Sequence, residues 1–262
     1  MPAILLTFDV EEFDLPLEYG IPIPPEEQMT VGKKGLDMIA KILQDDAVNC
    51  TLFTTANFAL KFPSDITNLS KKHEIASHTF FHSSYKPEDL KNSREVLERI
   101  ISSKVYGLRM PRMRKINTDS IKLGGYTYDS SINPTWIPGR YNNLNMPRTF
   151  YFESGIVKVP VSVSANFRIP LFWLAFKNFP YAYFKKIALQ TLQKDGYLSL
   201  YFHPWEFVDL TNYNLPSIIK KKSGIELLEK LMRLIGDLKN EGEFSTINNF
   251  LKSRAAFRTS LF

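Results

Sequence analysis

Short apolar runs alternate with amphipathic segments along the chain. The apolar runs predict strands at residues 3–10, 50–54, 74–78, 106–109, 126–129, 157–163 and 197–203. Hydrophobic positions spaced three or four apart predict helices over residues 32–44, 87–101 and 225–238. This alternation is typical of an α/β protein with a largely parallel sheet or barrel.

The length of the chain and the lack of a linker-like segment indicate its domain organisation. A chain of 262 residues suits one large α/β domain as well as two small ones. Neither a sequence repeat nor a linker interrupts it, so we expect a single catalytic domain over residues 1–262. The stretch Asn133–Arg148, rich in proline and asparagine, is expected to form a long functional loop.

Composition and charge narrow the class of function. The chain is 44% hydrophobic and 23% charged, as in a soluble enzyme. Its net charge of +6 is mostly scattered, which fits a solvated surface or attraction of an anionic substrate. No nucleic-acid recognition motif accompanies the charge, so nucleic-acid binding is disfavoured. The single cysteine, Cys50, excludes an internal disulfide and a multi-cysteine metal site.

The first residues carry no pattern of an export signal. Met1 and Pro2 lead directly into a short apolar run that is followed by acids. No stretch of the sequence reaches the roughly 20 apolar residues of a transmembrane helix. We therefore expect a cytoplasmic location.

Four of the apolar runs stop at residues that are capable of catalysis. These segments are 6–12, 75–82, 108–111 and 200–205. In barrel-type α/β folds the carboxyl ends of the strands converge on one face, where the catalytic groups lie. Residues that are distant in the chain are thus expected to meet in one pocket.

The two histidines of the second segment have the spacing of a metal site. His78 and His82 are four apart, so one helical turn after the strand would aim both imidazoles in the same direction. Zinc accepts two imidazoles and a carboxylate, and it keeps its remaining position open for water. The alternative is a pair of partly buried histidines that bond to backbone groups.

The acids of the first segment, an arginine and a late histidine are the other candidates. Strand alternation puts Asp9 and Glu11 on one side and Glu12 on the other. A buried carboxylate is costly unless it is paired or binds metal, although solvated loop acids are the alternative, which is favoured for Glu12. Arg109 is predicted to orient one carboxylate or to form a surface salt bridge. Histidine ordinarily has a pKa near neutrality, so His203 is a candidate acid or base, or else a core histidine.

Taken together, these segments resemble the polysaccharide deacetylase family, carbohydrate esterase family 4. Five segments are similar to its motifs and follow in the family's order, from residue 7 to about residue 206. They are Thr7-Phe8-Asp9, His78-Thr79-Phe80-Phe81-His82, Arg109-Met110-Pro111, Gly125-Tyr126-Thr127-Tyr128-Asp129-Ser130-Ser131 and Tyr201-Phe202-His203-Pro204. The fourth is similar to a segment of members whose first motif reads Phe-Asp-Val-Glu.

The resemblance implies a deformed (β/α)7 barrel and a role for each matching residue. It implies metal binding by His78 and His82, a general base at Asp9 with Arg109 as its partner, and a general acid at His203. The family's usual first motif has two adjacent aspartates, the second of which binds metal, whereas Val10 follows Asp9 here. Alternation favours Glu11 as the third ligand, with Glu12 and Asp9 as alternatives. The remaining expected pocket residues, which would bind substrate, are Asp129, Ser130 and Trp205; ordinary core packing is the alternative for the tryptophan.

The implied activity is metal-dependent removal of an N-acetyl group from a sugar, a hydrolase reaction. The expected cofactor is Zn²⁺ or another divalent transition metal. With a cytoplasmic location, we expect a nucleotide- or lipid-linked sugar on the way to O-antigen in lipopolysaccharide, to capsule or to another surface glycan. Two alternatives stay open: allantoinase-like amide hydrolysis, and a carbohydrate-binding relative whose metal site has lapsed.

One aromatic run in the sequence is a candidate surface for binding a membrane or a second subunit. Residues 167–176 are mostly apolar or aromatic, which is compatible with peripheral docking on a membrane or with a homo-oligomer contact. Burial under the barrel is the alternative.

Overall fold

The computed structural model describes residues 1–259 and contains a curved sheet surrounded by helices. In chain order the strands are β1 (Ala3–Val10), β2 (Cys50–Thr54), β3 (Glu74–Ser77), β4 (Gly107–Leu108), β5 (Tyr128–Asp129), β6 (Trp136–Ile137), β7 (Tyr141–Asn142), β8 (Tyr151–Glu153), β9 (Ile156–Lys158), β10 (Tyr197–Phe202) and β11 (Glu243–Phe244).

The large sheet has the order β10-β1-β2-β3-β4-β5-β9-β8, with β11 added beside the start of β1. The seven strands from β10 to β9 are parallel, and β8 is antiparallel to β9. The segment after β9 reaches β10, where the Ser162 amide donates to the Ser199 carbonyl at 3.0 Å. The sheet forms a curled half-barrel of mixed strands, which confirms the expected deformed barrel.

The helices alternate with these strands. They are α1 (Pro25–Met38), α2 (Ala40–Gln44), α3 (Ala56–Lys61), α4 (Pro63–Ser70), α5 (Asp89–Ile101), α6 (Thr118–Leu123), α7 (Trp173–Asn178), α8 (Tyr181–Asp195), α9 (Ser217–Lys220), α10 (Ile225–Leu238) and α11 (Ile247–Thr259). Short 3-10 helices occupy Leu15–Tyr19, Pro111–Met113 and Pro204–Phe207. Within the described part of the chain, no helix combines the length and the apolarity that crossing a bilayer requires.

Several predicted elements differ in extent from the observed ones. Helix α10 has the predicted bounds, whereas the helix predicted at 32–44 begins at Pro25 and is interrupted at Ile39. Strand β9 ends at Lys158 instead of residue 163. The expected loop at 133–148 contains a short hairpin of β6 and β7, whose strands have two residues each.

Both faces of β1 are buried, and they have different roles. Its even-numbered residues, such as Leu6 and Phe8, pack in the main hydrophobic cluster beneath the helices. Leu5 belongs to a second cluster, which Phe250 of α11 joins. Alternation places Thr7 and Asp9 on the same side as Leu5, nearer the carboxyl end. The strand therefore carries polar side chains to one end of the sheet.

Candidate active site and metal centre

Three ligand groups from two chain-distant segments converge just beyond the carboxyl ends of β1 and β3. Oε2 of Glu11 lies 2.9 Å from Nε2 of His78 and 3.3 Å from Nε2 of His82. One ligand atom from each residue lies within 4.8 Å of the others, and all three side chains are buried. The sequence prediction of two histidines and Glu11 around one point corresponds to this arrangement.

The bonding of these atoms fits a metal ion. Glu11 Oε2 and His78 Nε2 are buried, and although they lie 2.9 Å apart, neither atom makes an aligned hydrogen bond with any described residue. Such orphaned polar atoms are rare because burial without a partner is costly. Two imidazoles and one carboxylate form a ligand set typical of catalytic zinc sites, and a divalent transition metal would satisfy both orphaned atoms.

Each histidine makes a hydrogen bond through its second ring nitrogen, Nδ1, on the side away from Glu11. His78 Nδ1 lies 2.8 Å from the Arg109 carbonyl oxygen, and His82 Nδ1 lies 2.6 Å from Oδ1 of Asp14. Because these oxygens accept a hydrogen bond from Nδ1–H, each Nε2 remains directed at Glu11. Ligating histidines commonly have such outer partners. Asp14 was missed in the sequence, although it directly follows the acidic segment after β1.

The electrostatics of the cluster favour a charged pair when no metal is bound. Burial raises the pKa of Glu11, but the His82 charge and the contact with His78 outweigh burial and hold that pKa well below its usual range. Burial lowers the pKa of His82, while Glu11 and Asp14 together raise it to about 9. A carboxylate is therefore available as a ligand over the whole physiological pH range.

The histidine loop reaches this geometry by a left-handed residue and not by a helical turn. The predicted turn of helix after β3 was wrong, because residues 78–82 contain no helix. Thr79 has a φ of 64°, a strained value for a β-branched residue. Two hydrogen bonds hold its backbone, because the Thr79 carbonyl oxygen accepts one from the Ala56 amide and one from the Ser93 hydroxyl. The imidazoles of His78 and His82 consequently stack with centroids 5.5 Å apart.

Asp9 lies beside the cluster and is paired with Arg109. Nη1 of Arg109 donates to Asp9 Oδ1 at 2.6 Å and to the Thr7 hydroxyl at 2.8 Å. The other carboxylate oxygen of Asp9 lies 4.0 Å from His78 Nε2 and 3.8 Å from His203 Nε2. Asp9 therefore holds one oxygen in an ion pair and directs the other between the two histidines.

His203 approaches from the end of β10 and has a fixed orientation. Its backbone N–H donates to Oε1 of Glu206 at 2.7 Å, and its Nδ1 lies 3.0 Å from the same oxygen. Burial lowers the pKa of His203, but the contact with Glu206 and the nearby carboxylates more than reverse this and raise it. Glu206 Oε2 lies 4.0 Å from Nζ of the buried Lys177, and burial lowers the pKa of that lysine. Glu206 and Lys177 were not singled out in the sequence.

The other predicted residues occupy different places. Trp205 lies in the cleft, stacks on His203 with centroids 4.7 Å apart, and donates from Nε1 to Glu11 Oε1 at 3.0 Å. Ser130 holds Arg109 through its hydroxyl and its carbonyl oxygen. Asp129 is buried against Lys158 at 2.9 Å. Neither Asp129 nor Ser130 belongs to the cleft lining.

Glu12 points away from the cluster, towards the loop and helix that follow β2. Its Oε2 accepts from the Thr55 hydroxyl at 2.7 Å. Its Oε1 accepts from the Asn57 amide and from the His82 backbone N–H. These bonds join the segment after β1 to the histidine loop.

Two glycines of α1 set the spacing behind the site. A Cβ at Gly32 would overlap the Glu11 carbonyl oxygen, and one at Gly35 would overlap the backbone of Pro204. Helix α1 therefore approaches both the segment that carries Glu11 and the 3-10 helix that follows His203. The sequence signal was a pair of glycines three apart inside a helical pattern.

A family model matches the N-terminal part of the chain. Residues 2–124 match the model described as Polysaccharide deacetylase. This segment belongs to the polysaccharide deacetylase family. The match includes Asp9, Glu11 and both histidines, whereas His203 follows the matched polysaccharide deacetylase segment. No significant match was found among curated protein sequences.

Solved structures similar to this chain share its fold along nearly its whole length. A Pseudomonas aeruginosa PAO1 protein assigned as a polysaccharide deacetylase has a TM-score of 0.65 and 15% identity, covering 94% of this chain and 88% of its own. A Mycobacterium smegmatis protein with the same assignment has a TM-score of 0.64 and 18% identity, covering 98% and 91%. Puue allantoinase has a TM-score of 0.64 and 16% identity, covering 94% and 88%.

Proposed function

We propose that this chain is a metal-dependent carbohydrate N-deacetylase, which hydrolyses the acetamide of an N-acetylated sugar to the amine and acetate. The observation that carries the proposal is the pair of orphaned atoms, Glu11 Oε2 and His78 Nε2, facing His82 Nε2 beside the Asp9–Arg109 ion pair. The polysaccharide deacetylase segment supports the same activity.

The proposed ligands are Glu11, His78 and His82. A bound divalent ion, which we take to be zinc, supplies Lewis-acid activation of the amide carbonyl and of water. Buried and held by outer partners, the three side chains need little rearrangement to bind it.

Two further residues move the protons. Asp9 accepts a proton from the attacking water through the carboxylate oxygen that Arg109 leaves free. His203 then protonates the departing amine from Nε2, and its raised pKa favours the protonated form that this step requires. The C–N bond then breaks while the new C–O bond remains. The oxygen of the water ends on the acetyl carbon, and the leaving nitrogen carries the proton from His203. Ser130 and Trp205 position Arg109 and Glu11 respectively.

The test is acetate release from a panel of N-acetylated sugars and sugar nucleotides by the zinc-loaded protein. We expect turnover that disappears on chelation, returns with zinc, and falls at least about 10³-fold in Asp9→Asn. Stoichiometric zinc in the wild type, and its loss in His78→Ala, would argue against a lapsed metal site. Zinc-loaded protein that releases no acetate from any of these sugars would contradict the proposal.

Amide hydrolysis in a ring is the second candidate, because the fold is shared with an allantoinase. Ring opening of allantoin, measured on the same preparation, separates the two. The surface-glycan precursor, its nucleotide or lipid linkage and the cytoplasmic location stay predictions from the sequence.

A further inference from the structure

The cleft that leads to the proposed metal centre has predominantly apolar walls. It has a volume of about 190 Å³. One wall is formed by the start of α7, where Phe172, Trp173 and Leu174 follow one another. These residues belong to the aromatic run of the sequence, in which Leu171, Phe172, Ala175 and Phe176 are buried and Phe167 is exposed.

Large apolar side chains are also exposed around the mouth of this cleft. Tyr19 is 40% exposed and Ile218 is 53% exposed, and both line the cleft. Trp136 is 59% exposed, and its neighbour Ile137 in the hairpin lines the cleft as well. Single exposed apolar residues are ordinary, but several that surround one opening indicate a binding surface.

Positive charge accompanies the apolar mouth. Arg112 Nε and Arg140 Nη2 each lie 2.7 Å from the carboxylate of Glu18, and Arg112 Nη2 also lies 3.4 Å from Oδ2 of the buried Asp14. Both arginines line the cleft. Lys221 and Lys222, which are exposed, directly follow the helix that carries Ile218. The region around Ile218 thus combines apolar contact with two lysines that attract an anion.

We propose that this mouth binds the hydrocarbon chain of a lipid phosphate to which the sugar substrate is joined. The inference rests on the proposed function, because the sugar itself would occupy the metal end of the cleft. The phosphate would lie near Arg112 and Arg140, and the hydrocarbon chain would cover Tyr19 and Ile218. The mouth of the cleft thereby selects a lipid-linked sugar over a nucleotide-linked one, because its walls beyond the arginines are apolar.

Binding can be measured directly on the full-length, zinc-loaded protein. The chain has three tryptophans, of which Trp173 and Trp205 line the cleft and Trp136 precedes Ile137 of the cleft lining. Their fluorescence is followed during titration with farnesyl phosphate below its critical micelle concentration. Isopentenyl phosphate, which carries the same phosphate on a short chain, is the comparison ligand. We expect farnesyl phosphate to bind at least tenfold more tightly, since each buried methylene adds about fourfold.

Matched variants separate the surface from general effects. Ile218→Asn should weaken farnesyl phosphate binding about fivefold and leave isopentenyl phosphate binding unchanged. Ile225→Asn alters an equally exposed isoleucine, 60% exposed and outside the cleft lining, and should change neither affinity. Arg140→Gln should weaken both ligands.

Equal affinities for the two phosphates, or equal losses in the two isoleucine variants, would overturn the proposal. Sedimentation with anionic phospholipid vesicles, without a response to farnesyl phosphate, would also overturn it and assign the surface to membrane docking. The binding titration requires no turnover. A negative binding result is therefore distinguishable from a negative result in the acetate-release assay, which tests the proposed function.

Discussion

Oδ1 of Asp14 lies 2.6 Å from Nδ1 of His82, and its other oxygen lies 3.4 Å from Nη2 of Arg112. A proposed metal ligand is therefore held by a buried carboxylate that an arginine of the cleft also contacts. Carboxylate–histidine pairs of this kind fix the ring and increase the basicity of the ligating nitrogen.

Asp14→Asn is expected to weaken zinc binding by about 10- to 100-fold, because the amide keeps a hydrogen-bond acceptor but loses the charge. Competition with a chromophoric chelator measures the affinity. Asp46→Asn, which alters an exposed aspartate, serves as the control. Equal affinities in both variants would show that Asp14 does not hold His82 for the metal.

The identity of the third ligand is tested by a pair of neighbouring substitutions. Glu11→Gln should remove stoichiometric zinc, since the carboxylate facing both histidines is lost. Glu12→Gln should retain zinc and lower the free energy of unfolding by about 1–2 kcal/mol, because its buried bonds to Thr55 and Asn57 are perturbed. Metal analysis and urea unfolding are the measurements, and a reversed zinc result would make Glu12 the ligand.

Glu206 should control the pH dependence of turnover. Burial lowers the pKa of His203, and the contact with Glu206 is the largest contribution that raises it. A general acid must be protonated, so activity is present below this pKa and is lost as the pH rises through it. Glu206→Gln should therefore move the basic limb of the kcat profile to lower pH. If that limb stays in place while kcat falls, Glu206 supports the fold and does not set the pKa.

The close approach of α1 predicts opposite effects for two glycine substitutions. Gly35→Ala should destabilise the protein by about 1–3 kcal/mol, because the new methyl group meets the Pro204 backbone. Gly236→Ala, in α10 with open space around it, should stabilise it by about 0.5–1 kcal/mol. Thermal unfolding measures both, and equal effects would mean that α1 can shift away without loss.

The sequence predicted the parts of the site that local patterns encode. Strand alternation and the spacing of His78 and His82 indicated the cluster with Glu11, and hydrophobic periodicity indicated the bounds of α10. The left-handed turn at Thr79 could not be predicted, because tertiary bonds hold it against its local preference.

Contacts between residues that are distant in the chain could not be predicted from local sequence patterns, for a similar reason. Lys177 approaches Glu206 only because α7 packs against the end of β10, and its sequence neighbours resemble a membrane-docking run. The hairpin that brings Arg140 to the cleft has two-residue strands, too short to show a periodicity. Contacts between distant segments, and not propensity, decided these features.

The paired glycines of α1 have a consequence for transferring this chemistry to another scaffold. They allow an outer helix to touch the backbone on both sides of the reaction centre, at Glu11 and at Pro204. Grafting only the side chains that face the cleft onto a related barrel would omit this spacer. A designer would have to import the Gly32–Gly35 interval as well, or the two halves of the graft would sit too far apart to cooperate.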